Sequence, residues 1–407
     1  MNALRDDDHV VVVGAGLAGW RVVESLRREG YRGLVTLIGD EAHAPYDRPP
    51  LSKQVLSGKW DVERVTLASP TQIVDALASL RLGEAAVELD VDTTSVRLAS
   101  GDWIRGTRVV LALGARARGL RYESSGSLPT LRTLDDAIRL TNTVSSLEPG
   151  DVVVVIGGGF VGAEVATSLR ARGATPVVLE ANSQPLETVL GEQVAQWLFT
   201  LASDAGVELR VNQRINDVVT DGDGFRLHLD GGEVGAKAVV AAVGSSLDLE
   251  WLEGSGINLD GGVVVDAHAQ CAPNVAAVGD VARFPLRTVG GVERVRIEHW
   301  QVAVDHAHSL AKYWMGGEVA SELTIPYFWS DQYGKKIQVL GHPDPSDDVA
   351  LVHGDRSRGA WLALYLRDGV VGSVVALSQP RAFTLSKVLL ESRTSLDEAL
   401  RDRPWAN

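Results

Sequence analysis

Short runs of β-branched apolar residues that pass straight into glycine-rich turns recur along this chain. Val152–Ile156 is five apolar residues with no polar interruption, the pattern of a parallel strand buried on both faces. The spacing after it predicts an amphipathic helix from about Val161 to Arg172, then a second apolar strand over Pro176–Leu179. The same order occurs near the start: Val10–Val13, a helix to about Glu29, then Leu34–Ile38. Between and after these units the rhythm is shorter. Ala86–Leu89, Ser95–Leu98 and Arg108–Leu113 read as strands, the last closing on Gly114. A helix is expected from about Leu134 to Leu147. Val207–Val211, Ile215–Val219, Phe225–Leu229 and Ala238–Val243 then repeat the strand pattern and close on Gly244. Val275–Val278 reads as a further strand with room for a helix after it, and Arg296–Met315 as a long helix. Lys336–Leu340, Val349–Val352, Trp361–Leu366 and Val370–Leu377 give a β-rich end with a helix over about Ala382–Glu391.

The turns carry the chemistry. Gly157, Gly159 and Gly162 form G-x-G-x-x-G between strand and helix, and so do Gly14, Gly16 and Gly19. In this motif the first glycine makes the tight turn and the second lets the backbone approach a pyrophosphate. The third lets helix and strand pack closely. The helix N-terminus offers backbone N–H groups and a positive dipole end to the phosphates. Glu180 lies 18 residues after Gly162 and Asp40 lies 21 after Gly19, near the spacing at which a carboxylate meets an adenosine ribose. Two complete βαβ units predict two bound dinucleotides. An aspartate at a strand's carboxyl end, Asp280, is placed to accept from a cofactor hydroxyl.

The second βαβ unit interrupts the first domain, which must resume later. The expected organisation is a discontinuous first domain (1–117 and 244–321), a second dinucleotide domain (118–243) and an α+β third domain (322–407). With 407 residues, 45% of them hydrophobic and 42 glycine, the composition suits such an α/β protein. The net charge of −14 argues against nucleic-acid binding, and no apolar stretch approaches a membrane span. The single cysteine, Cys271, allows no intrachain disulfide. No signal peptide is evident, so a cytoplasmic setting is expected. No metal site is expected, and the oligomeric state stays open between monomer and weak dimer.

Gly14-Ala15-Gly16-Leu17-Ala18-Gly19, Arg48-Pro49-Pro50-Leu51-Ser52-Lys53, Gly157–Glu164, Ala277-Val278-Gly279-Asp280 and Phe328-Trp329-Ser330-Asp331-Gln332-Tyr333 together resemble the FAD-dependent NADH:ferredoxin reductases that serve oxygenases. The likeness covers essentially the whole chain. It implies two Rossmann-like domains in a glutathione-reductase-like architecture with a C-terminal α+β domain. It also implies non-covalent FAD on the first unit and NADH on the second. FAD contacts would come from Gly14, Gly16, Leu17, Ala18, Gly19, Asp40, Arg48, Lys53, Val87, Ala112, Gly114, Arg132, Gly279, Asp280, Glu298, His299, Trp300 and Trp329. NAD contacts would come from Gly157, Gly159, Phe160, Val161, Gly162, Glu164, Glu180 and Gly244. Lys53, paired with Glu164, would sit near flavin N5 and help place the nicotinamide. A solvated surface lysine is the alternative for Lys53, and ordinary core packing is the alternative for Trp300 and Trp329. For Phe160, gating of the nicotinamide and helix–sheet packing remain open.

Several positions depart from the family pattern. Ala112-Leu113-Gly114 stands for Ala-Thr-Gly, and Gly244-Ser245-Ser246-Leu247-Asp248 for Gly-x-x-Pro-Asn. Gln184 and Thr188 stand where relatives often carry arginine. With Glu180 ready to repel a 2′-phosphate, NADH is expected over NADPH. Disulfide reductases of this architecture place a cysteine pair beside the flavin, but this chain has none there, so electrons must leave from the flavin itself. The expected acceptor is a [2Fe–2S] ferredoxin feeding an oxygenase. It would dock on a local basic patch drawn from Arg283, Arg287, Arg294, Arg296, Lys335, Lys336 and Lys387. An NADH oxidase or quinone or dye reductase, and an NADH-binding redox sensor, are the alternatives.

Overall fold

A computed structural model describes residues 3–319 and 325–406. By its internal contacts the chain divides into two compact units. The first comprises the chain up to Asp47, Val65–Arg116 and Leu247–Tyr327; the second comprises Arg48–Arg64, Ala117–Ser246 and the chain from Phe328 onward.

The first unit is built on a six-stranded sheet. In spatial order its strands are Ala78–Leu82, Leu34–Gly39, His9–Val13, Arg108–Leu111, Val275–Ala277 and Gln270–Ala272, all parallel except the last pair. Alternation along His9–Val13 explains why it is apolar throughout. Val10 and Val12 join a core with Trp20, Leu26 and Trp314, while Val11 and Val13 join another with Leu111, Phe284 and Val302. Both faces of the strand are therefore buried, as parallel sheets require. Helices Leu17–Arg28 and Trp300–Trp314 cover the first of these faces.

The second unit repeats the plan with Glu208–Arg210, Thr175–Leu179, Val152–Ile156 and Ala238–Ala241, a four-stranded parallel sheet with helix Phe160–Ala171. Its C-terminal part is a five-stranded antiparallel sheet in the order Tyr327–Gln332, Lys335–Gly341, Val370–Leu377, Ala360–Arg367, Asp348–Asp355. Trp361, Ala363 and Tyr365 of this sheet share a core with Leu190, Val194 and Leu198 of helix Glu187–Leu198, which groups the C-terminal segment with the nucleotide fold.

Several boundaries differ from expectation. Arg48–Arg64 groups with the second unit rather than with residues 1–117. The reason is local: Ser168 on helix Phe160–Ala171 donates to the carbonyl of Ser52, and Lys53 pairs with Glu164 on the same helix. The expected boundary at residues 321 and 322 lies outside the described residues. The possible helix after Val278 is only a 3-10 turn, Gly279–Val281. Residues Ala282–Thr288 and Gly291–Arg296 then form a hairpin, so the long helix starts at Trp300 rather than Arg296. The helix expected over Ala382–Glu391 is broken into Pro380–Leu385 and Lys387–Glu391. Unexpected elements are the strand Ala78–Leu82 and the helices Pro70–Asp75, Glu187–Leu198, Leu201–Asp204 and Leu396–Asp402. No described helix is long and apolar enough to cross a membrane.

Candidate functional site

Each glycine turn divides its labour as the motif demands. Gly14 has φ +113°, and a Cβ there would overlap the Ala112 carbonyl; Gly157 has φ +104° and would overlap the Ala242 carbonyl. At Gly19 and Gly162 a Cβ would strike the carbonyl oxygen of the first glycine of the same motif. Gly16 and Gly159 differ. Both have ordinary negative φ, and a Cβ would meet no protein atom within 4 Å. The second position of each turn is thus open, leaving room for a ligand's phosphates.

Helix caps point the same way. Leu17–Arg28 and Phe160–Ala171 begin without any side-chain cap. Helix Leu134–Ser145, by contrast, starts with a Thr133/Asp136 capping box. The first N–H groups of the two glycine-turn helices have no intrahelical partner and can serve an anion. Both turns therefore fit a dinucleotide pyrophosphate.

The acids of the two folds are held differently. Glu180 is 8% exposed, and its carboxylate accepts from the backbone N–H of Gly158 at 2.8 Å and of Asn182 at 2.9 Å. Asp40 is exposed and pairs with Arg116 at 3.0 Å; the same guanidinium also reaches Asp248 at 3.1 Å.

In the first unit, Ala112 is buried behind Gly14, and Gly114 has φ +64°. Leu17 and Ala18 open the first helix, and Val87 is half-buried in strand Ala86–Asp90. Gly279 has φ +72°, and the carbonyl of Asp280 accepts from Arg296, which also pairs with Glu298 at 2.5 Å. His299 is the N-cap residue of helix Trp300–Trp314. Trp300 is half-buried rather than packed in the core, and its indole N–H donates to Asp47 at 2.9 Å.

In the second unit one carboxylate gathers three donors. Glu164 Oε2 accepts from Lys53 Nζ and from Ser52 Oγ, both at 2.7 Å, and Oε1 accepts from Ser330 Oγ at 2.6 Å. Lys53 and Glu164 side chains are 14% and 6% exposed, so this is a buried ion pair and not a solvated lysine. A buried pair contributes little net stability, but removing one partner strands the other charge at a cost of about 3–5 kcal/mol. Lys53 stands on a single π-helical turn, Leu51–Val55, opened by Pro49-Pro50. Turns of this kind occur frequently at functional sites. Arg48 donates to the carbonyl of Arg132 at 2.6 Å, so those two residues are neighbours. Phe160 meets Phe328 edge-on at 4.9 Å, which favours packing for its ring, while Val161 beside it is 45% exposed. Trp329 is half-buried, and Gly244 has φ +96°.

Sequence reasoning passed over Ser52 and Ser330 as functional groups, although both lie in quoted motifs. It also passed over Arg116. A serine beside a lysine carries no signal of a partner more than 100 residues away.

Cys271 is half-buried, donates to the Val275 carbonyl, and is pushed up to about 12 by burial. A thiol of that kind is not a relay at neutral pH. Among the described residues no cluster of His, Cys, Asp and Glu could hold a metal. Most of the basic candidates are locally compensated: Arg283 by Asp260, Arg296 by Glu298, Lys336 by Asp331 and Lys387 by Glu391.

Residues 8–307 match the pyridine nucleotide-disulphide oxidoreductase family, and residues 327–404 match the reductase C-terminal domain. A ferredoxin–NAD(+) reductase subunit of the benzene 1,2-dioxygenase system from Pseudomonas putida is 33% identical, covering 97% of this chain and 95% of the relative. The chain belongs to the ferredoxin–NAD(+) reductases of that family. Rhodocoxin reductase from Rhodococcus erythropolis is 32% identical over 95% of this chain and 90% of its own. Putidaredoxin reductase, solved as a covalent complex with putidaredoxin, superposes with a TM-score of 0.89 at 30% identity, covering 96% and 94% of the two chains. As a member of this family the reductase uses FAD and NADH, which the two open glycine turns fit.

Proposed function

We propose that this reductase takes a hydride from NADH and delivers single electrons to a [2Fe–2S] ferredoxin that feeds an oxygenase. The observation that carries the reading is the Lys53–Glu164 pair clamped by Ser52 and Ser330, in a chain whose one thiol is held away from redox use. Bound FAD accepts two electrons at once and gives them up singly. The chain's part is placement. The Gly14–Gly19 turn and Asp280 hold FAD, and the Gly157–Gly162 turn holds NADH. Glu180 accepts from the ribose hydroxyls and disfavours a 2′-phosphate. Lys53 presents a fixed positive charge where negative charge arrives, and Glu164 keeps that charge in place. Arg48, Arg132, Trp300 and Trp329 complete the FAD contacts.

The ferredoxin docks on a basic patch. Arg287 and Arg294 are exposed on the hairpin, where Arg294 donates to the Val265 carbonyl. The protein acts in the cytoplasm as a monomer or weak dimer.

Anaerobic stopped-flow absorbance tests this reading. NADH should bleach the flavin rapidly, and mixing with a [2Fe–2S] ferredoxin should restore flavin absorbance in step with ferredoxin reduction. Rapid bleaching without transfer to any ferredoxin would favour an oxidase or sensor instead. Lys53→Met should slow bleaching about 100-fold or more, the scale of losing one preorganised electrostatic group.

A further inference from the structure

His306 is a buried titratable side chain that none of the cofactor assignments uses. It lies on helix Trp300–Trp314, is 1% exposed, and has the edge of its ring against Phe284 at 4.5 Å. Its Nδ1 accepts the backbone N–H of Gly279 at 3.2 Å. Gly279 turns the chain with φ +72° immediately before Asp280, and a Cβ there would crowd Ala18, at the start of the first glycine-turn helix.

To accept at Nδ1 the imidazole must be neutral, with its proton on Nε2. Burial alone pushes His306 down to about 3, so the neutral form is the one the fold holds. Charged residues also stand on these elements. On its own helix Asp305 accepts from Gln301, and His308 meets Arg28 of the first helix. Arg21 of that helix lies over the Trp300 ring. On the Gly279–Val281 turn the neighbouring acid is Asp280, and Arg296 of the hairpin reaches its carbonyl.

We propose that His306 is a positioning residue for FAD: it fixes the Gly279 peptide, and through it Asp280, in the arrangement that receives the ribityl chain. This rests on Asp280 being an FAD contact. Protonation replaces the acceptor with a second donor facing the Gly279 N–H, so the contact exists only while the ring is neutral. The sign follows. The folded-state value is depressed below about 6.5, so the contribution is whole above that pH and is lost as pH falls from about 6.5 toward about 3.

The test is FAD release from the purified holoenzyme, followed by flavin fluorescence from pH 7 to pH 5. Burial holds His306 neutral in the folded chain whether or not FAD is bound, so FAD affinity of the native protein should stay nearly constant over that range. His306→Gln keeps an acceptor at this place, so it should hold FAD close to the native level. His306→Leu removes the acceptor and should release FAD faster at every pH. His306→Leu holding FAD as tightly as the native protein would overturn the proposal. So would His306→Gln releasing FAD as fast as His306→Leu, because the loss would then follow from packing and not from the missing acceptor. If Asp280→Ala holds FAD as tightly as the native protein, the underlying assignment of Asp280 fails instead, and the two failures are distinct.

Discussion

The two dinucleotide turns share three glycines and a following acid, yet they hold those acids in opposite ways. Glu180 is buried, and two backbone N–H groups, one from the turn itself, fix both its oxygens. Asp40 sits at the surface with an arginine that divides its contacts between two carboxylates. One acid is part of the loop's own wiring; the other is adjustable. A buried carboxylate with fixed oxygens can discriminate between a ribose hydroxyl and a phosphate, because displacing it would strand the donors it satisfies. A surface pair is soft and discriminates less. NAD and NADP differ at the ribose, and on the assignment proposed above the rigid acid stands on the fold that makes that choice.

The largest effects are expected at the first glycine of each turn. Gly14→Ala and Gly157→Ala combine left-handed backbone with overlap on a neighbouring carbonyl, and each should lose roughly 3–5 kcal/mol in denaturant unfolding. Gly16→Ala and Gly159→Ala should leave stability nearly unchanged but weaken FAD and NADH binding respectively, because the added methyl enters open space. If these second-glycine variants unfold like the first-glycine ones, the open positions are not where phosphates lie.

The acids should separate next. Glu180→Ala leaves two backbone donors without their acceptor and should cost about 1–3 kcal/mol, whereas Asp40→Ala should stay within about 0.5 kcal/mol. Equal losses would erase the contrast. The smallest effect is functional. Glu180→Ala should narrow the kcat/KM preference for NADH over NADPH, and replacing Asp40 should leave that ratio untouched.

Much of this was legible beforehand. Val10–Val13 and Val152–Ile156 are apolar on both faces, and the glycine spacing named both turns. What failed were segments whose identity is decided at a distance. Ala282, Phe284 and Leu286 alternate inward with period two, a strand signal that the Gly279-Asp280 turn masked as a helix start. Ala78–Leu82 carries serine and arginine and becomes a strand only because Leu34–Gly39 offers it an edge. The Lys53–Glu164 pair came through the family resemblance rather than any local pattern. Its clamp by Ser330 joins residues 166 positions apart, and no periodicity reports such a contact.

The order of strands in the first sheet has a consequence for synthesis. Arg108–Leu111, fully buried, pairs on one side with His9–Val13 and on the other with Val275–Ala277. Some 160 residues, including the whole second nucleotide fold, leave the ribosome between those two neighbours. The nascent chain must therefore carry an unsealed apolar edge while the second fold is synthesised. The second parallel sheet can form first, but helix Glu187–Leu198 waits for Trp361, Ala363 and Tyr365 to complete its core, so the second unit is finished only after Val275–Ala277 has sealed the first sheet.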